Sequence, residues 1–276
     1  MKFDNIQVYN FEGAFRGMRN PMNSWMKSDS CFGLRSFREG DAELEDLAKD
    51  WTAIDGCNPT DEGYDEHRFQ REDWLSNNGI LKLNPIQQIA IIAYIGPEDM
   101  KLAQRLIAAG PEHRKFLRQI FVSVDITAPL YWYKEFDTYK IGTVANSTST
   151  MHKLTSAPIT LKCFEIDDYD DKILNTIDNP LISIEGIIEY LEQIRQKYLE
   201  TKDKKYWKEL VRWLPESWLQ TRTVTMNYEN LLSIYHQRKD HKLNEWSGKD
   251  NPFNENFISF IEQLPYAHEL ILYKGE

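Results

Sequence analysis

Cysteine is scarce in this chain of 276 residues: Cys31, Cys57 and Cys163 stand far apart and odd in number. They support neither a disulfide framework nor a zinc knuckle. No stretch approaches the roughly 18 apolar residues needed to cross a bilayer. The first residues, Met1-Lys2-Phe3-Asp4-Asn5, lack a basic and apolar signal design, so a cytoplasmic protein that does not use a membrane is expected. Positive charge is short as well, with 33 Lys+Arg against 43 Asp+Glu and a net charge of −10. That balance opposes nonspecific nucleic-acid binding, which depends on neutralising phosphates. A single basic pocket for a small nucleotide is still compatible with it. No repeat, low-complexity tract, Gly/Ser linker, phosphate-cradling Gly-rich loop, G-x-S-x-G elbow or His-Glu-x-x-His pair occurs, so no metal site is expected.

What is there is an ordinary globular composition, 41% hydrophobic and 28% charged, which excludes wholesale disorder. One domain over 1–276 is expected. Residues 1–80 read as irregular, with turns at Asn20-Pro21, Asp55–Pro59 and Ser76–Gly79 and one short helix, Ala42 to Trp51. Residues 84–110 read as two helices, Pro85 to Tyr94 and Pro97 to Ala109, the second stopped by Gly110. Gln119 to Thr127 alternates Ile120, Val122, Val124 and Ile126 against Phe121, Ser123 and Asp125, the pattern of a strand. Ala128-Pro129 then opens an aromatic helix from Leu130 to about Ile141. Ser183 caps a helix carrying Ile184, Ile187, Ile188, Leu191 and Ile194. A helix from Lys204 to Leu214 ends at Pro215, and Asn227 caps a last one to about Lys239. The pattern is a mixed α/β domain with helices in the majority.

Two stretches could carry chemistry. Asn146 to His152 offers an amide, four hydroxyls, a thioether and an imidazole, a supply of short donors for a phosphate or a base edge. The same residues also suit a solvated turn. Asn227, Leu231, Ile234 and Arg238 share one helix face, so Asn227 and Arg238 could clamp the two ends of a ligand. They could equally be a cap and a surface cation at the helix end. Glu165 to Asp171 is acidic but lacks the glycine and late glutamate of a calcium loop, and reads as a solvated turn. His113 and His152 are lone histidines.

Together these elements resemble the flavin-dependent thymidylate synthases. In that family a strand runs into Ala-Pro, then a helix ends in Arg-His-Arg before a polar signature. Here Gln119–Thr127 leads through Ala128-Pro129 to Thr138-Tyr139-Lys140, and Gly142 to Met151 takes the place of the signature. Lys153-Leu154, Leu214-Pro215, Thr225-Met226-Asn227 and Arg238 follow at similar spacings, and Gly110 to His113 resembles the family's Gly-His segment. The likeness covers about 97–154 and 205–245, and is one of layout more than of letters. It implies an α/β (α+β) fold of that family with an enlarged N-terminal region, residues 1–95, and a homotetramer with pockets between subunits. By the same likeness, His113, Thr138, Tyr139, Lys140 and Asn227 would face a flavin cofactor, FAD. Glu135, Asn146, Thr148, Ser149, Thr150 and Arg238 would face a small-molecule pyrimidine nucleotide of the dUMP type. NADPH and methylenetetrahydrofolate follow only if the family's methyl transfer is retained.

The departures fall on cations. Arg-His-Arg is replaced by Thr138-Tyr139-Lys140, and the signature's Ser, Asn, Glu, Ser, Arg and Tyr fall on Thr143, Ala145, Asn146, Thr148, Thr150 and Met151. A shift of one residue places Asn146 and Ser149 on the family's Asn and Ser. An Arg after Thr-x-Asn becomes Glu229, and the Arg before Leu-Pro falls on Val211 beside Arg212. Each lost charge-assisted bond forfeits roughly 1.5–3 kcal/mol. Standard ligands are therefore expected to bind poorly unless Arg114, Arg118, Arg222 or Lys134 compensates. Two functions remain: a divergent flavin-dependent synthase, or a non-catalytic relative that sequesters nucleotide or binds a partner. Residues 1–95 hold Trp25, Trp51, Trp74, Arg16 and Arg19, for which the resemblance implies no role, and part of this region is expected to cover the mouth of the site or a subunit interface.

Overall fold

The computed structural model describes residues 1–36, 81–83, 89–167, 183–250 and 255–275. The chain begins with strand β1 (Lys2–Tyr9), helix α1 (Phe11–Arg19) and strand β2 (Cys31–Ser36). Strands β3 (Leu81–Leu83) and β4 (Ile89–Tyr94) lead to helix α2 (Pro97–Ala108). Strand β5 (Phe121–Pro129), helix α3 (Leu130–Phe136), strand β6 (Val144–Ser147) and helix α4 (Thr150–Lys153) follow. The last part holds α5 (Ile184–Thr201), α6 (Lys204–Arg212), β7 (Leu219–Asn227) and α7 (Tyr228–Arg238). Three short helices close the chain: α8 (Asn244–Ser247), α9 (Phe257–Glu262) and α10 (Ala267–Leu270). One sheet has the order β1-β5-β7-β6 and the other β2-β4-β3.

These residues form two compact units. The first comprises Met1–Asn5, Val124–Val224 and His241–Phe257, the second Ile6–Ser123, Thr225–Asp240 and Ile258–Glu276.

Strand β5 keeps the alternation read from sequence: Val122, Val124, Ile126 and Ala128 are fully buried, while Ser123, Asp125 and Thr127 stay half-buried. In the first unit that second face carries polar bonds. Asp125 accepts from Asn5 Nδ2 at 2.7 Å and Thr223 Oγ1 at 2.5 Å, and the Thr127 and Thr221 hydroxyls meet at 2.7 Å. Thr127 facing Thr221 and Asp125 facing Thr223 make β5 and β7 antiparallel. These bonds hold the Asp125 carboxyl below its ordinary pKa, the Thr223 hydroxyl contributing most. An aromatic core fills the same unit: Trp132 lies 4.9 Å from Phe136, 4.7 Å from Trp246 and 5.6 Å from Phe257. A second cluster packs Leu154, Ile159 and Phe164 against Leu191 and Ile194 of α5 and Leu210 of α6.

In the second unit, α1 buries Phe11, Ala14, Phe15 and Met18, the one face that helical spacing allows. Phe11 meets Tyr228 edge-on at 5.7 Å, and Phe15 meets Phe116 at 5.7 Å. Asp99, wholly buried, accepts from Arg19 Nε at 2.5 Å and from the Ser28 and Ser30 hydroxyls at 2.6 Å each. The Tyr266 hydroxyl accepts from Ile95 N at 2.9 Å and donates to Ala93 O at 3.1 Å, securing the end of β4.

Three expectations need correction. The early residues are not irregular: β1, α1 and β2 occupy most of 2–36, and only Val8 of β1 is buried, so that strand leaves little apolar signal. Of the stretch Pro85 to Tyr94 read as a helix, the described part, Ile89–Tyr94, is a strand. Ile89–Tyr94 pairs antiparallel with β2 on one side, Ile89 opposite Ser36, and with β3 on the other, Ile91 opposite Leu81. A central strand with partners on both edges tolerates a continuous apolar run without alternation. The aromatic helix stops at Phe136 rather than Ile141. Thr138 N and Oγ1 both donate to Glu135 O, at 3.1 and 2.7 Å, and close the last turn. The helix read over Ala42 to Trp51, the turns at 55–59 and 76–79, and Trp51 and Trp74 lie outside the described residues. The helices capped by Ser183 and Asn227 are present as read, and the helix from Lys204 ends at Arg212, two residues before Leu214.

Candidate functional site

In the first unit a chain of hydrogen bonds runs from the end of helix α3 to the hydroxyl-rich segment after β6. Strand β7 alternates, and its inward face carries Gln220 and Arg222 ahead of the buried Val224 and Met226. Gln220 is buried, donates from Nε2 to Thr148 O at 2.9 Å, and accepts from Arg222 Nε at 2.9 Å. Arg222 in turn donates from Nη1 to Asp137 Oδ1 at 2.7 Å and lies 3.7 Å above the Tyr133 ring. Thr148 N donates to Thr221 O at 2.9 Å, which fixes the end of β6 on β7. The residues just past α3, Thr138-Tyr139-Lys140, are thereby linked through Asp137, Arg222 and Gln220 to Thr148-Ser149-Thr150. Burial pushes the Tyr133 phenol well above its ordinary pKa against the opposing pull of the Arg222 guanidinium, and its hydroxyl donates to Ile126 O at 2.6 Å. Tyr133 is a neutral, fixed platform.

Glu135, two residues after Tyr133, accepts from Trp246 Nε1 at 2.8 Å and faces His241 Nε2 at 3.3 Å. His241 Nδ1 accepts from Leu243 N at 3.1 Å, which leaves the imidazole proton on Nε2, facing Glu135. Tyr139 approaches Trp246 edge-on at 6.2 Å. The Glu135 carboxylate is thus oriented by two ring N–H groups of residues that a sequence reading passes over. Trp246 and His241 sit about a hundred residues downstream, in no motif with Glu135.

The remaining residues read as site residues fall as follows. Thr138 and Lys140 are exposed and Tyr139 is half-buried. Asn146 and Thr148 are exposed, and Ser149 and Thr150 half-buried. Ser149 caps the single turn of α4, its hydroxyl accepting from His152 N at 3.1 Å. His113, Asn227 and Arg238 belong to the second unit. His113 is exposed in the turn after α2, its N–H bonded to Gly110 O at 3.0 Å, where Gly110 takes φ 104°. Asn227 is buried and forms a reciprocal cap: Oδ1 accepts from Asn230 N at 3.0 Å and Asn230 Oδ1 accepts from Asn227 N at 3.2 Å. Arg238 ends α7, half-buried.

Three of the four cations named as compensation are already engaged. Arg114 binds both carboxylate oxygens of Glu229, Arg222 binds Asp137, and Lys134 binds Glu216 at 2.7 Å. Two cavities of the first unit lie elsewhere. A groove of about 580 Å³ runs along α5 between Ile159, Leu161 and Ile188, rimmed by Glu185, Glu189 and Glu200. A pocket of about 390 Å³ is lined by Tyr131, Glu165, Asp167, Lys242, Glu245 and Asp250. Both are acidic and repel a phosphate, so the bond network and not cavity size locates the candidate site. Among the described residues no group of three or more His, Cys, Asp or Glu is placed to hold a metal ion. Among them, too, no helix is long and apolar enough to cross a membrane.

No family model matches this chain, and no curated protein matches it by sequence. Solved structures do match. Thymidylate synthase X from Helicobacter pylori, crystallised with FAD and dUMP, is similar over 98% of this chain and 97% of that one, at 14% identity and a TM-score of 0.55. A flavin-dependent thymidylate synthase structure from the same organism, complexed with FAD and dUMP, covers 64% of this chain and 83% of that one at 17% identity and a TM-score of 0.45. At such identities the likeness is one of fold: a mixed α/β architecture of the thymidylate synthase X kind.

Proposed function

We propose that this chain is a divergent relative of the flavin-dependent thymidylate synthases that binds a pyrimidine nucleotide of the dUMP type. The observation that carries the reading is the full-length likeness to a structure holding FAD and dUMP. The bonded cluster of Arg222, Gln220 and the Thr148–Thr150 segment supports it. A nucleotide monophosphate needs one cation and a few hydroxyl donors, and this cluster offers both.

The flavin is the weaker half of the fit. FAD brings two further phosphates and requires more cations in one place. Thr138 spends its hydroxyl on its own helix, and Asn227 spends its amide on a cap. Arg114 is neutralised by Glu229. Of the other residues read as flavin-facing, Lys140 and His113 are exposed and Tyr139 lies edge-on to Trp246. In that fold family the flavin supplies the redox chemistry, and no step of it is assigned to these residues. A second reading follows from the same pairing of cations: a non-catalytic protein that sequesters nucleotide or engages a protein partner. NADPH and methylenetetrahydrofolate belong only to the enzyme reading. Both readings include a cytoplasmic homotetramer in which part of the enlarged N-terminal region covers a subunit interface or the mouth of the site.

The test is a visible absorption spectrum of the purified chain before and after soaking with excess FAD and desalting. The proposal expects a colourless protein that sheds FAD yet is stabilised by dUMP. Flavin bands that survive desalting would instead favour a working flavoenzyme.

A further inference from the structure

We propose that Arg222 is the phosphate-binding cation of this site and that Asp137 is its latch, a carboxylate that occupies the guanidinium until a phosphate monoester displaces it. The inference rests on the reading above that the site takes a pyrimidine nucleotide.

Four observations carry it. The guanidinium is held before any ligand arrives, stacked 3.7 Å over Tyr133 and fixed at Nε by the buried Gln220. Its pair with Asp137 is lopsided: the Arg222 side chain is 15% exposed and that of Asp137 51%. Asp137 can therefore leave into water at little cost, whereas Arg222 cannot follow it. Asp137 bonds Nη1 alone, and Nη2 has no hydrogen-bond partner among the described residues, so half of the outward edge is open. Lastly, the amide that holds Nε also donates to Thr148 O, which ties the guanidinium through one side chain to the backbone of the hydroxyl-bearing segment.

A phosphate monoester outcompetes Asp137 by charge and by shape. It carries about −1.5 to −2 charges against one and presents three oxygens, enough to span Nη1 and Nη2 together. An ion pair kept only for stability would not need a platform, a buried bridge to the hydroxyl segment and an open donor edge. Displacement of Asp137 also frees the residue next to Thr138-Tyr139-Lys140, so nucleotide binding is communicated directly to that segment.

Calorimetric titration of the full chain with dUMP, deoxyuridine and inorganic phosphate tests this on the wild type, Asp137→Asn and Arg222→Gln, with melting temperatures recorded for each. Asp137→Asn is expected to tighten dUMP about fivefold and leave deoxyuridine unchanged. Arg222→Gln is expected to weaken dUMP on the order of 10- to 100-fold, again sparing deoxyuridine. Should Arg222→Gln fail to fold, Arg222→Lys serves, with an expected loss of about tenfold because it keeps the charge but loses the fork. If dUMP binds and neither Asp137→Asn nor the Arg222 variants change its affinity, the latch is overturned while the nucleotide reading stands. Inorganic phosphate binding as tightly as dUMP would make Arg222 a simple anion site and overturn its place in a nucleotide site. Absence of dUMP binding to both the wild type and Asp137→Asn would overturn the nucleotide reading itself.

Discussion

Arg114 meets Glu229 side-on, donating from Nε at 3.0 and 3.2 Å and from Nη2 at 3.1 Å to the two carboxylate oxygens. Both side chains are mostly buried, 18% and 16% exposed. Glu229 lies in the first turn of α7, where the helix dipole favours a negative charge. Glu229 thus neutralises the Arg114 cation.

Removing one partner leaves a mostly buried charge uncompensated. Glu229→Gln and Arg114→Gln are each expected to lower stability by about 1–3 kcal/mol, and the double mutant by less than their sum. Denaturant unfolding of the four proteins in a mutant cycle checks the coupling.

Asn227 can be separated from a ligand role by choice of substitution. Asn227→Ala should cost about 1–2 kcal/mol through loss of the cap, whereas Asn227→Asp keeps an acceptor for Asn230 N and should cost a few tenths. Thermal melts read both. If Asn227→Asp melts with the wild type yet loses ligand, the residue does more than cap.

The buried Asp99 satisfies Arg19, Ser28 and Ser30 at once. Asp99→Asn is expected to destabilise the protein by about 3–5 kcal/mol, because Arg19 would be left buried without its counter-charge. Urea unfolding monitored by tryptophan fluorescence measures it.

Acid sensitivity should show in α5. Arg195, bonded to both carboxylate oxygens of Glu192 at 2.7 and 2.8 Å, holds that carboxyl down to about 2 from 4.5. A carboxylate depressed in the folded state adds stability that is complete above its unfolded pKa and disappears as pH falls from about 4.5 to about 2. After screening at this partly exposed site, about 1–2 kcal/mol is expected to vanish across that window and to be absent at all pH values in Glu192→Gln. Stability measured as a function of pH for both proteins decides it.

Much of this fold is legible in the sequence where local chemistry and tertiary packing agree. Ile120, Val122, Val124 and Ile126 alternate because one face of β5 is wholly buried, and Ser183 and Asn227 cap because their side chains bond Gly186 N and Asn230 N. Strand β7 is hidden because half of its inward face is Gln220 and Arg222, whose polarity conceals the period carried by Val224 and Met226. The same departure marks the candidate site: polar residues on a buried face need partners, and here the partners are Thr148, Asp137 and Tyr133. The run Ile89–Tyr94 misleads for the opposite reason, since continuous apolar residues after a proline fit a helix start as well as a central strand. Of the residues read as site residues, Thr148 is tied through Gln220 and Arg222 to Asp137, the neighbour of Thr138, by a bond network that neither segment announces by itself. The support of Glu135 by Trp246 and His241 depends on a return of the chain that no local pattern foretells.

The most direct measurement is a calorimetric titration of the intact wild-type chain with dUMP at low salt. The account predicts saturable binding to one site per chain, with a Kd of about millimolar or tighter that weakens as salt is added. A folded protein that takes up no dUMP at concentrations well above that, with or without FAD present, would contradict it.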